Sequence, residues 1–163
     1  MRVLVLSAAA LLASAMSAVA APASVTVSVA PELQKTFDKT YGVREAERLT
    51  SDLQTTVEKT LARTGAHEGA RIELTLTDAK PNRPTFKQLS DKPGLSLQSF
   101  GVGGAAIRGK IVAADGTEKS LSYRWYETDI REASYNWIWS DAEWTFDRFA
   151  RKLARDATVL AER

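Results

Sequence analysis

The sequence predicts an α+β domain, with a four-stranded mixed sheet and both of its helices on one face. Three observations predict this class: four stretches alternate apolar and polar residues, two longer stretches repeat apolar residues at steps of three and four, and the order is strand, helix, strand, strand, strand, helix. A strand–helix–strand unit makes its two strands parallel. We therefore expect the first two strands to run in the same direction and the last three to form an antiparallel meander.

The first twenty residues predict a secretory signal peptide. A positively charged start precedes an apolar centre over residues 3–12, and Ala18-Val19-Ala20 is a small-x-small cleavage signal. The centre is shorter than the roughly 20 residues that span a bilayer, and no cysteine is present to carry a lipid. We expect cleavage after Ala20, one mature domain over residues 21–163, a periplasmic or secreted location, and no transmembrane or lipid anchor.

The first half of the mature chain predicts a strand, a helix and a second strand. Val25, Val27 and Val29 alternate with polar residues, and an irregular stretch over residues 30–42 follows. The next apolar residues recur at steps that keep them on one face of a helix. They are Ala46, Leu49, Leu53, Val57 and Leu61. Gly65 follows this helix and is expected to end it by adopting a left-handed conformation. The alternating residues of the second strand are Ile72, Leu74 and Leu76.

The second half predicts a hairpin and a final helix. Three prolines exclude a central strand or a helix interior from residues 80–94. The third strand is expected at about residues 97–113, and Asp115-Gly116 is typical of a tight primed hairpin turn. On the returning strand, one side carries Leu121, Tyr123 and Trp125. The outer face of the sheet is expected to carry Thr26, Ser28, Glu73, Thr75, Arg108, Lys110 and Arg124.

The start of the final helix carries two familiar signals. Ser140 and Glu143 fit a capping box, while Trp139 and Trp144 occupy the positions of a hydrophobic staple. The apolar stripe of this helix consists of Ala142, Phe146, Phe149, Leu153, Ala157 and Leu160.

Composition excludes several function classes. The mature chain has 21 basic residues, one fewer than the whole chain because Arg2 is removed, against 20 acidic residues, and they are interspersed. Nucleic-acid binding needs clustered basic residues, so we do not expect a nucleic-acid partner. Without cysteine there is no thiol chemistry, and a single histidine, His67, excludes a site with several histidine ligands. We expect no metal and no cofactor, and His67 is interpreted as a solvated loop residue.

The third-strand segment Gly101–Gly116, GVGGAAIRGKIVAADG, contains a pattern that also occurs in dinucleotide-binding turns and approaches a Walker A loop. Both need a helix to follow, whereas the pattern here predicts a strand, so small residues for close packing are the better interpretation. In its element order, its signal peptide, this small-residue third strand and Tyr41-Gly42 before the first helix, the chain resembles small exported bacterial proteins of unknown function with a lipoprotein-type α+β domain. The resemblance covers about residues 25–160, implies an envelope-associated role, and transfers no catalytic residue. The missing lipidation cysteine departs from many such proteins.

Three alternatives for function remain open. A glycan hydrolase would need two acids across a sugar-binding cleft, for which Glu127, Asp129 and Asp141 beside Trp137 are the candidates. The preferred hypothesis is a non-enzymatic binding or scaffolding domain that contacts an envelope protein or a cell-wall polymer. Dimerisation through the polar sheet face or a sheet edge is a third possibility.

The expected topology gathers the three long connections at one end of the sheet, where a binding site would lie. The middle connection carries a net +3 and the last a net −3. Either these loops pair with one another, with Arg83 bonded to Asp129 or Glu132, or they present a recognition surface of aromatic and arginine anchors. The candidate partner-binding residues are Asn82, Arg83, Phe86, Arg131, Tyr135 and Trp137.

Overall fold

The computed structural model describes residues 21–161, with side chains up to residue 156, so the predicted signal peptide lies outside the described residues. The fold is a four-stranded mixed sheet with helices, and the order of its main elements confirms the predicted α+β class. The strands are β1 (Ser24–Val29), β2 (Arg71–Lys80), β3 (Gly104–Val112) and β4 (Glu118–Tyr126). The helices are α1 (Pro31–Thr36), α2 (Val43–Thr64), α3 (Phe86–Asp91) and α4 (Ser140–Ala161).

The chain directions agree with the prediction. The sheet order is β1-β2-β3-β4; β1 and β2 are parallel, and the other two pairs are antiparallel. The three long connections, residues 30–42, 81–103 and 127–139, therefore all lie at the same end of the sheet. We call this end the loop pole. Among residues 21–161, the connections between strands and helices at the opposite end are the short links over residues 65–70 and 113–117.

The two long helices pack on one face of the sheet and on each other. All five residues of the predicted α2 stripe are buried, and Gly65 ends the helix with a φ of 67°. The buried α4 residues include Ala142, Phe146, Phe149 and Leu153; the side chains of Ala157 and Leu160 lie outside the described part. From the sheet, the core takes Val25, Ile72, Leu74, Leu76, Ala105, Ile107 and Ile111.

The predicted outer face is confirmed as the polar face of the sheet. Thr26, Glu73, Arg108 and Arg124 are exposed there. Lys110 pairs with Glu118 on the same face, at 2.9 Å between Nζ and Oε1.

The loop pole contains short helices where the sequence predicts irregular chain. After β1, helix α1 begins at Pro31 and leads into a π-helical turn (Phe37–Tyr41), which ends at Gly42 with a φ of 104°. In the middle connection, α3 begins with a capping box between Thr85 and Gln88. These helices span only five or six residues, too few for a repeating apolar stripe to reveal them.

The third strand is shorter than predicted, because β3 begins at Gly104 rather than near residue 97. The hairpin turn also differs. A primed type I′ turn needs a positive φ at both central residues, whereas only Gly116 of the predicted pair has one, at 86°. The link therefore spans five residues and is closed by a hydrogen bond from the Ala113 N–H to the Thr117 carbonyl oxygen, at 2.9 Å.

The predicted start of α4 is correct in position and wrong in its contacts. The Ser140 hydroxyl accepts a hydrogen bond from the Trp137 N–H, and Glu143 pairs with Arg48 of α2, so no capping box forms. Trp139 is buried against Phe37 and Tyr41 instead of forming a staple with Trp144. Glu143 and Trp139 therefore bind partners on distant elements, whereas Ser140 bonds to a residue only three positions earlier.

Gly109 allows the strands at the sheet centre to approach closely, and we expect Gly109→Ala to destabilise the fold. A Cβ atom there would collide with the Glu73 carbonyl oxygen and lie 2.9 Å from the Leu74 Cδ2 atom. The expected loss is about 1–3 kcal/mol in the free energy of unfolding, measured by urea denaturation. Gly101→Ala is the control, because a Cβ there meets nothing within 4 Å. Equal stability of the two variants would contradict this packing argument.

Candidate functional site

The centre of the loop pole is a fully buried carboxylate, Asp141, in the first turn of α4. Its oxygens accept three hydrogen bonds: from the Gly103 N–H at 2.7 Å, the Asn82 amide at 2.6 Å and the Asn136 amide at 2.8 Å. The Asn82 Oδ1 atom in turn accepts a hydrogen bond from the Asp141 N–H at 2.9 Å. Since these donors come from the second and third long connections, one carboxylate ties both connections to α4.

Arg83 forms a second tie between the same two connections. Its guanidinium donates to three carbonyl oxygens: Nε to Asn136 at 2.6 Å, Nη1 to Leu97 at 2.6 Å and Nη2 to Ser134 at 2.7 Å. It also lies over the Phe100 ring, 5.8 Å from the ring centroid. The predicted pairing of Arg83 with Asp129 or Glu132 is therefore wrong. Arg83 does join the two loops, but it binds backbone carbonyls of the last connection and of residue 97 rather than acidic side chains.

The three acids proposed for a hydrolase are each engaged in hydrogen bonds or an ion pair. Asp141 is enclosed by its three donors, and Glu127 accepts hydrogen bonds from the N–H groups of Thr128 and Asp129. Asp129 binds Arg131, which lowers the pKa of the Asp129 carboxyl and raises that of the Arg131 guanidinium. Each carboxylate therefore makes a structural contact. A glycosidase requires two acids that face each other across an open cleft.

The six predicted site residues divide into a framework and a surface. Asn82, only 1% exposed, and the half-buried Arg83 belong to the framework described above. Phe86, Tyr135 and Trp137 are 66%, 97% and 55% exposed. Arg131 is exposed and held by Asp129. Three aromatic anchors and one arginine therefore remain available for contact.

The structure adds apolar residues to this surface that sequence reasoning missed. Nine large apolar side chains are exposed among the described residues; eight belong to the three long connections or directly follow one, and the ninth, Trp144, lies within α4. The additional members at the loop pole are Val43, Leu95, Leu97, Phe100 and Ile130. Leu97 and Phe100 were missed because their segment was assigned to the third strand. We call the eight exposed residues at this end the apolar surface.

A shallow cleft of about 230 Å³ opens at the loop pole between α3 and the segment before β3. Its lining includes the exposed Phe100 and Leu95, together with Pro81, Pro84 and the Arg83 side chain. The cleft gives the apolar surface a concave feature into which a side chain of a partner could insert.

Close to the loop pole, Asp78 lies near two tyrosines. The Tyr126 hydroxyl donates a hydrogen bond to the Asp78 carboxylate, and burial together with this hydrogen bond raises the pKa of Tyr126. Burial and the same carboxylate raise the pKa of Tyr41. Both phenols therefore remain protonated at neutral pH, and this group of residues acts as a hydrogen-bonded contact between β2 and β4.

The motifs that suggested nucleotide chemistry have a structural explanation. Residues 104–112 form a strand rather than a helix, and a Cβ atom on Gly103 would lie 2.6 Å from the Lys80 carbonyl oxygen. His67 is not a solvated loop residue. Its ring is half-buried, and its Nε2 atom lies 3.1 Å from the Leu153 carbonyl oxygen of α4.

No protein-family model matches the chain, and no curated protein matches it. Among solved structures, the chain is similar to one described as "Crystal structure of a putative lipoprotein from Caulobacter crescentus CB15". The identity is 17% and the TM-score 0.40, over 85% of this chain and 90% of that one. Within residues 21–161, no helix is long and apolar enough to cross a membrane.

We expect Asp141→Asn to destabilise the protein by about 2–4 kcal/mol, because an amide nitrogen would face N–H donors that need an acceptor. Urea denaturation of this variant measures the change. Asp129→Asn is the control, since it removes a half-buried acid whose pair with the exposed Arg131 is worth at most about 1 kcal/mol. Similar losses in both variants would show that the buried carboxylate is not the main tie.

We expect Arg83→Lys to loosen the loop pole, because an ammonium group cannot reach three carbonyl oxygens in a planar fork. Limited proteolysis should cut residues 95–103 and 127–137 of this variant several times faster than in the wild type. Arg131→Lys, which changes an exposed arginine of the same pole, should leave the cleavage rate unchanged. Equal protection of Arg83→Lys and wild type would refute the bridging role.

Proposed function

We propose that this chain is a non-enzymatic binding or scaffolding domain that works in the periplasm or outside the cell. Its loop pole contacts an envelope protein or a cell-wall polymer. The observation that carries the proposal is the segregation of exposed apolar side chains: eight of the nine lie at this end. Exposed apolar side chains that concentrate at one end of a folded protein are typical of a surface used for contact.

The chemistry of the apolar surface favours a protein partner over a polymer. Aromatic rings and arginine are typical anchors of protein interfaces. The surface also includes the aliphatic residues Val43, Leu95, Leu97 and Ile130, which bury well against apolar side chains and offer no flat ring for a sugar. An envelope protein is therefore the first candidate partner.

The rigidity of the loop pole supports the same function. The ties made by Asp141 and Arg83 hold the connections that carry Phe86, Phe100 and Tyr135. Binding by an ordered surface loses less conformational entropy than binding by a loop that must first become ordered. A framework of this kind suits recognition and needs no catalytic group.

A photo-crosslinking experiment tests the proposal. A benzophenone side chain in place of Tyr135, the most exposed aromatic residue, is expected to give a discrete crosslinked product in the envelope fraction. The double variant Phe86→Ala, Trp137→Ala in the same background should reduce the product at least tenfold, because anchor residues each contribute about 2 kcal/mol or more. Gel separation and mass spectrometry measure the product.

Two controls make the result specific. The same benzophenone in place of Arg108, on the outer face of the sheet, should not give the product. Trp144→Ala removes an exposed tryptophan away from the loop pole and should leave the product unchanged. The proposal fails if the product forms equally from position 108, or if the Phe86→Ala, Trp137→Ala variant gives as much of it as wild type.

A further inference from the structure

The basic residues of α4, interspersed with acids along the sequence, gather on one face of the helix. Arg148, Arg151, Lys152 and Arg155 are spaced so that their side chains share one side, with Trp144 one turn earlier. Together with Tyr123 of β4 they line an open groove of about 730 Å³. We call it the cationic groove. It contains four positive charges and two aromatic rings, and no acidic residue belongs to its lining.

The positive charges of the cationic groove are only weakly compensated. Two acids of α4 form long ion pairs with these cations: Asp147 lies 3.9 Å from Arg151, and Asp156 lies 3.8 Å from Lys152. Both pairs are solvent-exposed, and such pairs contribute little. Within residues 21–156, Arg148 and Arg155 have no ion-pair partner. Four cations close together, of which only two have a weakly paired acid, favour an anionic ligand.

One of these cations is held in position before any ligand arrives. The Arg148 guanidinium lies over the Trp125 ring of β4, 4.4 Å from the ring centroid. A stacked guanidinium keeps its edge free to bind two oxygens of a phosphate or carboxylate. Tyr123 is fixed in a similar way, because its ring packs against Phe149 at 5.9 Å between centroids.

The cationic groove continues along the edge strand of the sheet. A smaller pocket of about 110 Å³ shares Tyr123 and Lys152 with it and is also lined by Lys119, Leu121 and one acid, Asp156. The four cations of α4 span about 10 Å along the helix at 1.5 Å per residue. An elongated ligand with more than one negative group matches this length better than a single small ion does.

We infer that the cationic groove is a second binding site, and that its ligand is an anionic saccharide, a chain of sugars carrying carboxylate or phosphate groups. The arginines and the lysine bind the charged groups, while Trp144 and Tyr123 offer ring faces to the apolar faces of the sugars. Because the site is concave, a discrete chain fits it better than a flat membrane or a DNA duplex. This site is separate from the loop pole and does not depend on the proposed function.

Calorimetric titration with tetragalacturonate, a carboxylated sugar chain, tests this inference on the mature chain. We expect saturable binding that weakens as salt is raised from 20 to 200 mM. Cellotetraose, a neutral chain of the same length, should not bind, and inorganic phosphate should bind more weakly than tetragalacturonate. The double variant Arg148→Ala, Arg155→Ala should weaken tetragalacturonate binding at least tenfold.

Two further variants separate a local effect from a loss of folding. Arg71→Ala, Arg108→Ala removes the same charge from the outer face of the sheet and should leave binding unchanged. Asp147→Asn, Asp156→Asn removes the flanking acids and should tighten binding about two- to fivefold, a gain that misfolding cannot produce.

A tryptophan variant tests the saccharide part of the inference and separates this site from the loop pole. Trp144→Ala should weaken tetragalacturonate binding several-fold, leave phosphate binding unchanged, and keep the crosslinked product of the loop pole. The inference is overturned if no saturable binding occurs, if the outer-face variant loses as much affinity as the groove variant, or if phosphatidylglycerol vesicles or a DNA duplex bind more tightly than the saccharide.

Discussion

Asp141 has no exposed surface, yet its side chain is a carboxylate. Three N–H groups from two different loop connections donate hydrogen bonds to it. Burying a charged group is expensive unless its hydrogen bonds are made inside the protein. The carboxylate can therefore be buried only when residues 81–103 and 127–139 are in place, and these connections gain their order from the carboxylate. The helical core, the sheet and the irregular loops are joined at this point.

This constraint explains why the predicted site residues have different roles. Asn82 and Arg83 belong to the framework and are not available to a partner. Asn82 binds Asp141 and the Gly101 carbonyl oxygen, and Arg83 binds three loop carbonyl oxygens. Of the aromatic residues carried by the same connections, Trp139 is buried in the core, whereas Phe86, Phe100, Tyr135 and Trp137 are left exposed. An ordered framework under an apolar surface is the arrangement on which the proposed binding function depends.

Helix α4 connects the two surfaces proposed to bind partners. Its first turn holds the loop pole through Asp141, its buried stripe packs on the sheet, and its opposite side carries the basic residues of the cationic groove. The two surfaces differ in chemistry, one apolar and one cationic. Two partners of different kinds could therefore be held by one small domain without competing for the same residues.

The sequence by itself determined the parts that depend on local periodicity: the stripe of α2 from Ala46 to Leu61, the inward face of each strand and the shared direction of β1 and β2. These follow from repeats of 3.6 and 2 residues and from the handedness of a crossover. Only the tertiary structure decided the contacts of Arg83, the burial of Asp141, the short helices of the loop pole and the grouping of cations on α4. The physical reason is distance along the chain: Asn82 and Asp141 are 59 residues apart, and no local pattern records which donor will meet a buried acceptor once the sheet has formed.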